Sequence, residues 1–168
     1  MVIRRFKKDV REQLKESFPE REIDIISTPA SAVEEIAYEQ LGRANFQTLD
    51  GQGAGQLFRT VLEKALFSSP HACLSTIENR LKRLKARTQN NEILADISTL
   101  EGLRLCMQAI KPAEFSKYQK LVDLLSHNGT SSLGWNPKQA NDRLVIFTES
   151  LATLEFLREH LPTDIQNS

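Results

Sequence analysis

Residues 142–161 read DRLVIFTESLATLEFLREHL. Four apolar residues run without a break from Leu144 to Phe147, and Thr148 closes the run. Such a run predicts a strand covered on both faces, as in a parallel α/β sheet. Ser150 then offers a helix cap. Leu151, Leu154 and Leu157 repeat at helical spacing as far as Leu161, with Pro162 beyond. A buried strand needs neighbours on its sheet, and the rest of the sequence barely supplies them. The pair is therefore expected to open a larger α/β domain whose remainder lies elsewhere.

Upstream the pattern is helical. Phe6, Val10 and Leu14 fall four apart within Arg4–Ser17, and Pro19 stops that stretch. In Arg21–Ser27, Ile23 and Ile25 alternate with Glu22 and Asp24, which predicts a short strand near 21–27. Thr28-Pro29, with Ser31 as a second cap, opens a helix to about Leu41, where Gly42 ends it. Val33, Ile36, Ala37 and Leu41 are expected on its inner side. Asn45–Gly55, with three glycines, reads as a flexible loop. Helices are expected over Gln56–Phe67, Pro70–Arg87, Asn91–Ile110 and Pro112–Ser126, followed by a polar loop over His127–Asn141. Apolar residues at 93, 97, 100, 103, 107 and 110 form a near-heptad stripe. It is shorter than the three to four heptads of a coiled coil, so packing within the chain is preferred. The expected class is mainly α and bundle-like, with a short strand near 21–27 and the strand–helix unit at 144–161.

The chain has 168 residues, enough for one medium domain with its own core. Lys plus Arg and Asp plus Glu number 22 each, so the total charge is silent about nucleic acid. Cys73 and Cys106 sit in apolar helical patterns without metal-ligand spacing and read as reduced core thiols. No apolar run reaches the roughly 20 residues of a membrane span. Arg4-Arg5 is not followed by the apolar stretch of a secretory signal. The expected address is the cell interior.

No catalytic constellation stands out. Gly51–Gly55 lacks a preceding strand and a following Lys-Ser/Thr, so it is not a phosphate loop. His71, His127 and His160 are isolated in sequence and show no zinc spacing. Ser68 and Ser69 carry no signature of an activated nucleophile. One helix gathers Arg80, Lys82, Arg83, Lys85 and Arg87, with Arg80, Arg83 and Arg87 on one flank of the Ile77–Leu81–Leu84 seam. These cations suit DNA phosphates. A solvated helix face whose stems cover the core edge is the weightier reading. A second cluster, Arg4, Arg5, Lys7, Lys8 and Arg11, is diluted by Asp9 and Glu12.

Read in order, these stretches resemble one family. IRRFKKDV, then Phe18-Pro19, the short strand and a helix containing Tyr38 resemble the segment after the first motor lobe of Swi/Snf-type superfamily-two helicases, bacterial members above all. Lys64–Leu74, KALFSSPHACL, is similar to that family's helix with a Ser-Pro step before a Leu. Lys117–Leu125 resembles the helix before the second lobe, and Asp142–Leu161 resembles motif IV and its helix. A helical insert over 78–110 departs from the pattern.

The resemblance implies the following division. Residues 1–42 would be the end of the first lobe and first protrusion, 43–55 a flexible loop, and 56–126 a helical linker and insert. Residues 127–141 would be a loop, and 142–168 the start of a second RecA-like lobe. It also implies a parent that is a DNA-dependent ATPase using ATP and Mg, with no cofactor held by this chain and no catalysis by this chain alone. The implied partners are double-stranded DNA and the rest of the motor in cis, with no membrane. The implied location is the bacterial cytoplasm, with nucleoid association. Thr148 and Ser150 would contact the DNA backbone, joined by Arg80, Arg83, Arg87, Arg4 and Arg5. Thr148 has an equal claim as a helix cap. The alternative is a stand-alone helical protein-binding module, which would leave no apolar face exposed around Leu144–Phe147.

Overall fold

Ser31 starts the first helix of a computed structural model that describes residues 23–48, 54–88, 90–126 and 132–167. The Ser31 hydroxyl accepts from the Glu34 amide at 3.2 Å, and the Glu34 carboxylate accepts from the Ser31 amide at 2.8 Å. This capping box satisfies two amides that a helix start leaves unpaired, and it sets α1 over Ala32–Arg43. Helix α2 spans Ala54–Ser68, α3 Pro70–Lys85 and α4 Asn91–Ala109. Ser69 caps α3 ahead of Pro70, and Asn90 caps α4. A single 3₁₀ turn, Pro112–Glu114, leads into α5 over Ser116–Leu125, and α6 spans Leu151–Asn167.

The chain is mainly helical. Helix α3 is the centre: α2, α4 and α6 all pack on it, and α1 closes against α4. The 93–110 stripe turns inward, with Ile93, Leu100, Leu103, Met107 and Ile110 buried. They meet Ile77, Leu81 and Leu84 of α3 and Ala37 and Leu41 of α1 in one core. Fully burying a leucine such as Leu100 contributes about 2 kcal/mol.

Two buried carboxylates fix connections that apolar packing leaves loose. Asp96, in α4, is 1% exposed. Its Oδ1 accepts from the Gln47 amide at 2.7 Å, and its Oδ2 accepts from the Thr48 amide at 3.0 Å and from the Thr48 hydroxyl. The same hydroxyl oxygen accepts from Arg80 at 3.2 Å. Asp96 thus holds the chain that leaves α1, and Gly55 lets α2 start close beside it. A Cβ on Gly55 would lie 2.8 Å from the Phe46 carbonyl oxygen. Glu34 does similar work at the opposite corner, accepting from the Ser116 amide at 3.3 Å and joining the starts of α1 and α5.

Several expectations need correction. Among the described residues there is no strand. Residues 23–27 of the expected strand near 21–27 are irregular, with Ile23 and Ile25 exposed, and 21–22 lie outside the described residues. Leu144–Thr148 forms no ladder either, so the expected strand–helix unit is a helix preceded by an unpaired run. A strand is defined by its partner, and no described segment offers one.

Helix α6 runs through Pro162, where a stop was expected. Its inner face is Thr153, Phe156 and Leu161, with Leu157 half-buried, whereas Leu151 and Leu154 are exposed. Those two leucines would face a sheet, and no sheet is present among the described residues. Ile36 is likewise exposed rather than inward. The expected helix over Arg4–Ser17 lies outside the described residues, as do 49–53 of the expected flexible loop.

Asp96→Ala is expected to lower unfolding free energy by about 3 kcal/mol, because two buried donors of Thr48 and the part-buried Gln47 amide lose their acceptor together. Urea unfolding followed by circular dichroism measures it. A loss comparable to a surface substitution would show that the Asp96 bridge is not structural.

Candidate nucleic-acid interface

The Ser68-Ser69-Pro70 step sits where α2 turns into α3. The Ser69 hydroxyl accepts from the Ala72 amide at 3.0 Å as the α3 cap and is fully buried. Across from it lies Thr153 of α6, also buried. The Thr153 hydroxyl lies 2.7 Å from that of Ser69 and 2.9 Å from that of Ser68. The stretches KALFSSPHACL and DRLVIFTESLATLEFLREHL are therefore stitched together by three hydroxyls from residues more than eighty positions apart.

The stitching places the start of α6 at the mouth of a cleft of about 420 Å³. Its polar wall is Lys64, Ser68, Lys117, Thr148 and Thr153, with Glu149 beside them. Lys117 donates to the Phe67 carbonyl at 2.8 Å and lies 5.8 Å from the Phe67 ring centroid. Thr148 and Ser150 both serve the helix start. The Thr148 hydroxyl accepts from the Ser150 amide at 3.3 Å, and that of Ser150 accepts from the Thr153 amide at 3.4 Å. An accepting hydroxyl keeps a proton that it can donate. Capping and donation to a phosphate are compatible at both residues.

The arginines lie elsewhere. Arg80 donates to Thr48 and stands 5.6 Å from the Phe58 ring centroid, so it is part of the Asp96 bridge. Arg83 and Arg87 are exposed near the far end of α3. From Ser69 to Arg83 the helix rises about 21 Å. The structure thus does not bring the arginines to the Thr148 cleft. Lys85 of the same helix forms a 2.7 Å ion pair with Glu101. Arg4 and Arg5 lie outside the described residues.

Sequence reasoning missed Lys64 and Thr153, because neither stands in a local pattern that marks it. It also read His71 and His160 as unrelated. Both rings stack on Phe156, with centroids at 4.3 Å and 4.6 Å. His71 Nδ1 is buried without a hydrogen-bond partner. Burial, then the neighbouring His160, holds the His71 imidazole below its ordinary value, against a smaller opposing pull from Glu159. On α5, Tyr118 packs edge-on against the same Phe156 and donates to Asp164 of α6. Cys73 is buried, and burial pushes its thiol up to about 12, which keeps it a thiol at neutral pH. Among the described residues no group of three or more His, Cys, Asp or Glu side chains is placed to hold a metal ion. No described helix is long and apolar enough to cross a membrane.

Compared with models of known families, with curated proteins and with solved structures, the chain matches none.

The depressed His71 value has a pH consequence. The unfolded chain binds a proton near pH 6.5, where the folded chain keeps His71 neutral. The His71 contribution to stability is therefore complete above 6.5 and declines as pH falls from there towards the lower folded value. Thermal melts across that range should show a decline that His71→Gln flattens. An unchanged pH profile in the variant would contradict this account of His71.

Proposed function

We propose that this chain is the interlobe segment of a Swi/Snf-type, ATP-driven DNA translocase, joining the motor's two lobes and touching the DNA backbone at the Thr148 cleft. The observation that carries the reading is the run Leu144–Phe147. Its exposure alternates with a period of two. Leu144 and Ile146 are 36% and 37% exposed, and Val145 and Phe147 are 68% and 92%. Leu144 and Ile146 line an apolar groove with Leu154, Leu157 and Leu161 of α6. That is the side-chain pattern of a strand with one face covered by its following helix. None of Leu144–Phe147 makes a backbone hydrogen bond to another described residue. A self-contained module would cover such side chains, and the cost of leaving them in water weighs against it.

The packing adds support. The described stretches that carry the resemblance meet one another. Thr153 joins Ser69, His71 and Tyr118 join Phe156, and Ser116 joins Glu34. The insert over 78–110, for which the family offers no counterpart, comprises the end of α3 and all of α4, and α1 packs on it.

Within this reading, Lys64, Thr148 and Ser150 bind a phosphate and position the duplex without reading bases. Glu149 opposes the anion and keeps the contact weak. ATP and Mg belong to the parent motor's lobes, and this chain supplies linkage and a backbone contact.

The test is fluorescence anisotropy of the 168-residue chain with duplexes of unrelated sequence over a range of salt. Binding should fall steeply with salt and ignore base sequence, and Lys64→Glu should weaken it several-fold. Salt-independent binding, a base preference, or no binding at low salt would sink the proposal.

A further inference from the structure

The exposed run is complementary to itself. Arg143 and Glu149 flank Leu144–Thr148 at equal distance from Ile146, and both are exposed. Two copies laid antiparallel about Ile146 set Arg143 opposite the second copy's Glu149, and Glu149 opposite its Arg143. On the same face Val145 falls opposite Phe147, and Phe147 opposite Val145. Opposite-charge pairs and aromatic–β-branched pairs are the favourable cross-strand combinations. On the other face Ile146 meets itself, and Leu144 meets Thr148, over the α6 helices of both copies. Moving the register by one residue separates the charges and turns every side chain to the other face. Moving it by two sets Arg143 against Phe147, or Glu149 against Val145.

We propose that two copies of this chain associate about a two-fold axis by antiparallel pairing of residues 143–149, with the register centred on Ile146. The pairing satisfies backbone groups that no described residue satisfies, along a strand edge of the kind that templates association. The interface is isologous, so each charge pair occurs twice and the contact closes as a dimer. The inference competes with the motor reading for the same run, which a second lobe would pair in cis, and its test involves no DNA, so the failure of one is distinguishable from the failure of the other.

Sedimentation equilibrium of the 168-residue chain over a wide concentration range should follow a monomer–dimer model. Arg143→Glu and Glu149→Arg should each weaken dimerisation by about tenfold or more, since two attractive pairs become repulsive. The double variant R143E/E149R should restore it. The register is read separately by Ile146→Cys in a Cys106→Ser background, because residues facing each other at the two-fold lie about 5 Å apart, within disulfide reach. It should form a covalent dimer on mild oxidation, and Val145→Cys should not. A chain that stays monomeric, a dimer indifferent to the charge reversals, a double variant that is not rescued, or cross-linking at 145 rather than 146 would each overturn the proposal.

Discussion

Phe156 holds the last helix to everything else. It is 3% exposed, and four rings surround it: His71 from α3, Phe115 and Tyr118 at the start of α5, and His160 one turn along its own helix. Aromatic contacts of this kind add to the apolar area they remove from water. Beyond that socket, α6 is oriented by its hydroxyl contacts, the Tyr118–Asp164 bond and the packing of Leu157, Leu161 and Ile165 against the core. With the socket, the start of α6 is placed against Ser69, and the run before α6 is presented at the surface.

Around that socket the molecule uses polar groups where the chain must change direction. Glu34 and Asp96 are each buried and each accept from backbone amides of a segment outside their own helix. Burying a carboxylate is unfavourable unless it is fully hydrogen-bonded. The same requirement makes these bridges specific, because a shifted loop would leave the charge without donors. The packing of α1 on α4 and the meeting of α1 with α5 follow from these two residues as much as from leucines.

The candidate interface inherits its geometry from these constraints. Thr148 and Ser150 stand at the cleft because Thr153, one turn into α6, is tied to Ser68 and Ser69. Lys64 and Lys117 reach the same cleft from α2 and α5. Arg80 was attractive as a cation in a basic run, but its hydrogen bond to Thr48 and its place over Phe58 give it a structural role.

Most of the helices were legible in the sequence, although α2 starts inside the expected loop and α6 runs past the expected stop at Pro162. The Asn91–Ala109 stripe, the Ser69-Pro70 start and the cap at Ser31 are local, and local spacing is what a helix reads. The strands expected at 21–27 and 144–148 were not determined the same way, and neither forms among the described residues. Apolar content shows that a segment can pair, and only a neighbouring strand makes it pair. Tertiary structure alone decided that Leu151 and Leu154 face outward, that His71 and His160 share one phenylalanine, and that Asp96 supports a loop nearly fifty residues away. Each depends on which distant atoms arrive alongside, and spacing along one chain does not encode that directly.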